Sequence, residues 1–133
     1  MTRRVSYGVA ISEEILGEGA PVLFQGGIVA GMAKAAEMGF ECVEIHIRNP
    51  LSLDPVALQR ASADTGVRIA AIGTGLEFGM NGLSLTSDDP SIRSRAGERM
   101  REHIDLAAHF GAVVFFGLIR GKCGKKARLP EYL

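Results

Sequence analysis

Glu44 and His46 are the residues of this chain best placed to do chemistry. They belong to the run Cys42-Val43-Glu44-Ile45-His46-Ile47. Side chains along a strand point alternately to its two faces. Val43, Ile45 and Ile47 therefore make one apolar face, and Cys42, Glu44 and His46 make the other. A carboxylate and an imidazole on one strand face can bind a polyol, contribute to a metal site or move protons. The same pair can also fill a polar interior by hydrogen bonding alone. One Glu and one His leave a metal shell incomplete, because a catalytic ion takes about three protein ligands. The strand runs into Arg48-Asn49-Pro50. In a parallel barrel the C-terminal strand ends carry the chemistry.

Fewer signals come from elsewhere. Thr74-Gly75 closes a later strand and offers a hydroxyl and backbone amides to a ligand, or forms a simple turn. Arg120, in Gly117-Leu118-Ile119-Arg120-Gly121, stands where a guanidinium would meet an anionic substrate, or serves as a loop charge. Arg48 reads as a solvated loop charge. His103 and His109 read as surface or helix-end histidines, and Asp88-Asp89 as a helix cap. Cys42 reads as a small buried side chain. Cys123, the other cysteine, is remote from it in sequence, so neither a disulfide framework nor a zinc motif is indicated.

Fifteen Lys and Arg balance fifteen Asp and Glu over 133 residues. Net neutrality argues against a general nucleic-acid binder, which needs excess cations to displace phosphate counterions. No apolar run approaches a membrane span, and no signal segment precedes the first strand. A reducing cytoplasm is the expected location.

The elements that must position these residues alternate. Val5 to Ala10 reads as a strand, and Ser12 to Phe24 as irregular. Gly27 to Met38 reads as a helix, with Ile28, Met32, Ala35 and Ala36 at helical spacing. The Cys42–Ile47 strand follows. Asp54-Pro55 then signals an N-cap and first helical residue, and this helix runs to Thr65 with Val56, Leu58 and Ala61 buried. Val67 to Gly73 is the third strand, and Thr74 to Ser87 a long loop. Asp89-Pro90 repeats the cap signal before the longest helix, which ends near Phe110. Its stripe is Ile92, Ala96, Met100, Ile104, Ala107 and Ala108. Ala112 to Ile119 is a fourth strand, apolar on both faces as a buried parallel strand should be. The fold class is α/β, a parallel (β/α) repeat of about four strands and three helices. Alternation alone leaves a doubly wound sheet and a barrel open. No GxGxxG or Walker motif is present.

Several stretches in order carry a resemblance: Gly39-Phe40-Glu41-Cys42-Val43-Glu44-Ile45-His46, Ala71-Ile72-Gly73-Thr74-Gly75, Gly82-Leu83-Ser84-Leu85-Thr86, Phe110-Gly111-Ala112 and Gly117 to Gly121. Together they resemble the xylose-isomerase-like TIM barrels, the sugar phosphate isomerase/epimerase superfamily, in the branch that includes 5-keto-L-gluconate epimerase. The resemblance implies metal-assisted proton transfer beside the carbonyl of a ketose or keto-sugar acid. A divalent ion (manganese, magnesium, cobalt or zinc) would act as Lewis acid, and two glutamates would move the proton. It places those glutamates and the metal ligands on later strands, outside this chain.

The resemblance runs from Val5 to about Gly121, and a full barrel takes roughly 250 residues. Residues 1–121 are thus expected to be the N-terminal half of a barrel, and 122–133 an unmatched basic tail. Catalytic residues are not assigned. Glu44, His46, Thr74 and Arg120 are the expected substrate-binding residues, with a sugar or sugar acid as ligand. The alternative is a non-catalytic half-barrel or sugar-binding module, as a homo-oligomer or paired with a complementary half.

Overall fold

The computed structural model describes residues 4–122. Four strands, β1 (Gly8–Ser12), β2 (Cys42–His46), β3 (Arg68–Gly73) and β4 (Val113–Phe115), are parallel and pair in chain order. Between them lie α1 (Ile28–Glu37), α2 (Pro55–Thr65), the short α3 (Gly75–Gly79) and α4 (Pro90–Ala108). This strand order decides between the two architectures. Right-handed crossovers that always step the same way collect their helices on one face, as in a barrel wall. A doubly wound sheet reverses its order and covers both faces.

The core lies on the helix side. Ile11, Val43, Ile45 and Ile72 are each 0% exposed. They pack with Ile28, Met32 and Ala35 of α1, Leu58 and Ala61 of α2, and Leu106 and Ala107 of α4. Each such isoleucine contributes about 1.5–3 kcal/mol through burial. Ile69 and Ile72 both join this core although three residues apart. Strict alternation would put them on opposite faces. A register shift between Val43 and Glu44 against β3 absorbs the extra residue, as a bulge does.

The helix starts follow local chemistry. Asp54 accepts from the Val56 backbone N–H ahead of Pro55, and Gly66 ends α2 with φ 72°. Asp89 accepts from the Ser91 N–H ahead of Pro90. In α1 the Gly27 position supplies no side chain, and Glu13 Oε2 accepts from the Ile28 N–H at 2.8 Å instead.

Several expectations shift. The first strand begins later than Val5, because its pairing starts where β2 does, at Gly8 opposite Cys42. It extends to Ser12, opposite His46. Val56 is exposed and not in the α2 stripe. In α4 the buried positions are Ala96, Met100, His103, Leu106 and Ala107, while Ile104 faces solvent. The fourth strand is short and is not buried on both faces. Val113 and Phe115 are 61% and 48% exposed, because β4 is the last described strand and no described element covers its concave side. Beyond it the chain turns into a 3-10 segment, Leu118–Arg120.

The two sheet edges differ. Beside β1, Leu23 N–H donates to the Ala10 carbonyl at 2.8 Å and Ser12 N–H donates to the Phe24 carbonyl at 2.9 Å, giving a parallel bridge between Ile11 and Phe24. Beyond β4 no described strand follows. Cys123 and the rest of the expected tail beyond Lys122 lie outside the described residues.

Candidate functional site

The concave face opposite the core presents small residues around one polar pair. In register, Ala10, Glu44 and Ala71 form one row, and Ser12, His46 and Gly73 the next. Glu44 and His46 thus project from the central strand with alanine, serine or glycine on either side. Their side chains meet at 2.6 Å, His46 Nε2 to Glu44 Oε1, and remain 20% (His46) and 34% (Glu44) exposed. A Cβ added to Gly73 would lie 2.6 Å from His46 Cε1 and 2.7 Å from Nδ1. The imidazole therefore lies across the glycine of the neighbouring strand. Both faces of β2 are as the alternation predicts: Val43, Ile45 and Ile47 are buried against the helices. Cys42 is buried on the concave side.

A hollow of about 240 Å³ beside Glu44, which His46 does not line, is bounded by Gly8, Ala10, Cys42, Ala71 and Phe115, among others. Enclosed ligand pockets occupy about 300–1,000 Å³, more than this hollow offers.

The other expected residues lie nearby but in different states. Thr74 follows β3 and is 0% exposed. Its hydroxyl donates to the Phe115 carbonyl at 2.8 Å and accepts from the Gly117 N–H at 3.2 Å. It ties the ends of β3 and β4 together. Arg120 lies exposed at the end of the 3-10 segment after β4. Arg48 is exposed as expected, while its backbone is held at both ends. Its N–H donates to Glu14 Oε1 at 3.1 Å, and its carbonyl accepts from Asn81 Nδ2 at 2.8 Å. His109 is exposed at the end of α4.

His103 departs from expectation. It is 0% exposed, as is Glu77 of α3. Glu77 Oε2 accepts from Asn81 Nδ2 at 2.7 Å, and Glu77 Oε1 lies 3.3 Å from Arg99 Nε. Arg99 also bonds to Asn49 and Glu102. Burial pushes the Glu77 carboxyl above its usual range, against hydrogen bonding from Asn81 and the charge of Arg99. Burial likewise pushes His103 below its usual range. This cluster joins the loop after β2, at Arg48 and Asn49, and α3 after β3 to α4. A sequence signal existed for His103. Ala96, Met100, His103 and Ala107 recur at spacings of four, three and four, the period of one helix face. Glu77 carried no comparable signal, since its partners come from other elements.

Among the described residues, no three or more His, Cys, Asp or Glu side chains are grouped so as to hold a metal ion. The described residues thus do not by themselves fit the divalent ion that the resemblance implies. No described helix is long and apolar enough to cross a membrane.

Comparison with known proteins accords with this geometry. Residues 32–130 match the family model described as xylose isomerase-like TIM barrel. That stretch takes in most of the segment beyond Gly121. A ketose 3-epimerase of Arthrobacter globiformis is 30% identical over 93 residues, covering 70% of this chain and 31% of that protein. The structure of D-allulose 3-epimerase from Methylomonas sp. in complex with D-allulose superposes with a TM-score of 0.58 at 21% identity, over 84% of this chain and 35% of that one. An AP endonuclease, family 2, from Brucella melitensis shares the fold with a TM-score of 0.54 at 12% identity, over 81% of this chain and 38% of that one. The chain thus spans about a third of the length of the relatives it matches. With its four parallel strands in barrel order and the family match over most of its length, this chain belongs to the xylose isomerase-like TIM barrel family.

Proposed function

We propose that this chain supplies one wall of the sugar pocket of an isomerase or epimerase acting beside the carbonyl of a ketose or keto-sugar acid. The observation that carries this reading is the Glu44–His46 pair, 2.6 Å apart and part-exposed on the concave face at the end of β2. Glu44 accepts hydrogen bonds from substrate hydroxyls, and His46 donates or accepts one according to its tautomer. Thr74 holds the β3 and β4 ends in place beneath the substrate. Arg120 stands at the rim, where it suits an anionic group on a sugar acid. The ketose 3-epimerase relative and the D-allulose complex support a sugar ligand. In this reading the divalent ion and the proton-transferring carboxylates come from outside residues 4–122. The protein works in the cytoplasm and binds neither nucleic acid nor membrane.

The test is calorimetric titration of the chain with D-allulose and other ketoses, using wild type, Glu44→Gln and His46→Ala. Binding by wild type that falls at least tenfold in both variants, with their circular dichroism unchanged, supports the reading. Equal binding by all three removes Glu44 and His46 from the pocket. Turnover that depends on added Mn²⁺ and stops with EDTA would show that the chain carries out the reaction unaided.

A second reading rests on the bare β4 edge, where Val113, Phe115, Phe116 and Leu118 are exposed. In it the chain is a non-catalytic half-barrel that associates through this edge with another copy or a complementary half.

A further inference from the structure

Glu77 Oε1 and His103 Nε2 face each other at 3.8 Å, both side chains are 0% exposed, and neither atom has a hydrogen-bond partner, Oε1 having only the Arg99 Nε ion pair at 3.3 Å. The proton inventory of this pair follows from its neighbours. His103 Nδ1 lies 3.0 Å from the Arg99 carbonyl. A carbonyl only accepts, so Nδ1 carries a proton. A neutral His103 then presents the bare lone pair of Nε2 to Glu77. An ionised Glu77 would present a second lone pair to it across a space sealed from water. Two acceptors facing each other in such a place are costly, and a proton on either one removes the conflict.

We propose that Glu77 and His103 together hold one proton in the folded chain, on one group or the other, and that this proton keeps the loop after β2 in place. The charged groups around it are Arg99 and Glu102 from α4 and Glu14 from the loop after β1. Arg99 favours an ionised Glu77, while Glu14 and Glu102 oppose it. Losing the proton would leave Glu77 a buried carboxylate among those two acids. Asn81 and Arg99 reach from this carboxyl to the Arg48 carbonyl and to Asn49. The same proton thus bears on the loop that follows Glu44 and His46. The inference is independent of the sugar reading, because its test uses no ligand.

The test is the pH dependence of folding stability, from urea midpoints of the full chain between about pH 3.5 and 8.5. The unfolded pair holds two protons below the ordinary carboxyl value of 4.5, one between 4.5 and the ordinary imidazole value of 6.5, and none above, setting aside the Nδ1 proton common to both states. The folded pair holds one throughout. Stability from the pair is therefore flat between those values. It falls on either side by about tenfold per pH unit in the folding constant.

The two variants should remove opposite limbs. Glu77→Gln donates an amide hydrogen to Nε2 without titrating. Its pair contribution should stay flat above 6.5 and fall below it. His103→Gln keeps the Glu77 proton, so its contribution should be flat below 4.5 and fall above it. Profiles of either variant parallel to wild type overturn the proposal. If neither variant folds, side-chain ¹⁵N spectra of the wild-type chain decide it. The His103 signals are assigned there by contacts to Met100 and Ala107. One proton on the pair from pH 5 to 7.5, seen either as a protonated Nε2 or as a protonated Glu77 carboxyl in the matching ¹³C spectrum, supports the proposal, and an unprotonated Nε2 beside an ionised Glu77 at neutral pH overturns it.

Discussion

The imidazole of His46 rests against Gly73, and a single added methyl on that glycine would overlap it at 2.6 Å. Gly73 has an ordinary backbone conformation, so the requirement for glycine here is one of space. Gly73→Ala should therefore rotate His46 off β3 and break its 2.6 Å contact with Glu44. The cost in stability should be about 1–3 kcal/mol, the range for overpacking. A shifted His46 ring resonance with a retained cooperative urea transition is the expected result. An unchanged His46 environment would show that the ring does not lie on this glycine in solution.

Thr74→Val keeps the shape of the side chain and removes both hydrogen bonds made by its hydroxyl. The Phe115 carbonyl and Gly117 N–H then lose their partner. The expected loss is about 1–3 kcal/mol, read from the urea midpoint. Thr74→Ser should recover most of it. If valine is tolerated without loss, water replaces the hydroxyl and the β3–β4 tie is not structural.

Asp89 offers a test of acid sensitivity. Its hydrogen bonds to the Ser91 side chain and backbone hold its carboxyl below the usual 3.8. A folded value below the unfolded one means that this contribution is present above pH 3.8 and is lost as pH falls through the folded value. Asp89→Asn retains a capping oxygen but does not titrate. Comparing thermal midpoints of the two chains from pH 5 down to 2, the wild type should lose stability faster below 3.8. Parallel curves would separate the cap from the charge.

The β4 edge should make the 133-residue chain self-associate. A parallel strand that no described strand covers, bearing exposed Val113 and Phe115, is a template for pairing. Light scattering should give a mass above the 14.2 kDa of one chain. Val113→Lys with Phe115→Lys should shift it toward the monomer, since edge lysines oppose pairing. A wild-type monomer with a sharp melt would show that this edge is innocuous.

Legibility in the sequence followed the range of the interaction. The Asp54-Pro55 and Asp89-Pro90 caps and the Gly66 terminus are set within a few residues, and all three appear as read. The two faces of β2 were equally plain, because alternation is a local property. The shift that brings Ile69 and Ile72 to one face depends on how β3 meets β2, so β3 alone does not reveal it. Glu77 and His103 lie 26 positions apart, and only the packing of α3 on α4 makes them neighbours. The reading of β4 failed similarly. Its composition is that of a buried strand, while its exposure is set by what stands opposite.

The two sheet edges have a consequence for symmetry. The Ala10 carbonyl and Ser12 N–H on the β1 side are already bonded to Leu23 and Phe24. A copy adding its β4 to that side would have to displace this segment. Head-to-tail growth, which builds rings or open filaments, is therefore obstructed at one end. Two β4 edges can meet about a twofold axis without displacing any described segment, and that contact uses the edge of both copies that no described strand covers. In the half-barrel reading, association through this sheet would therefore end at a pair.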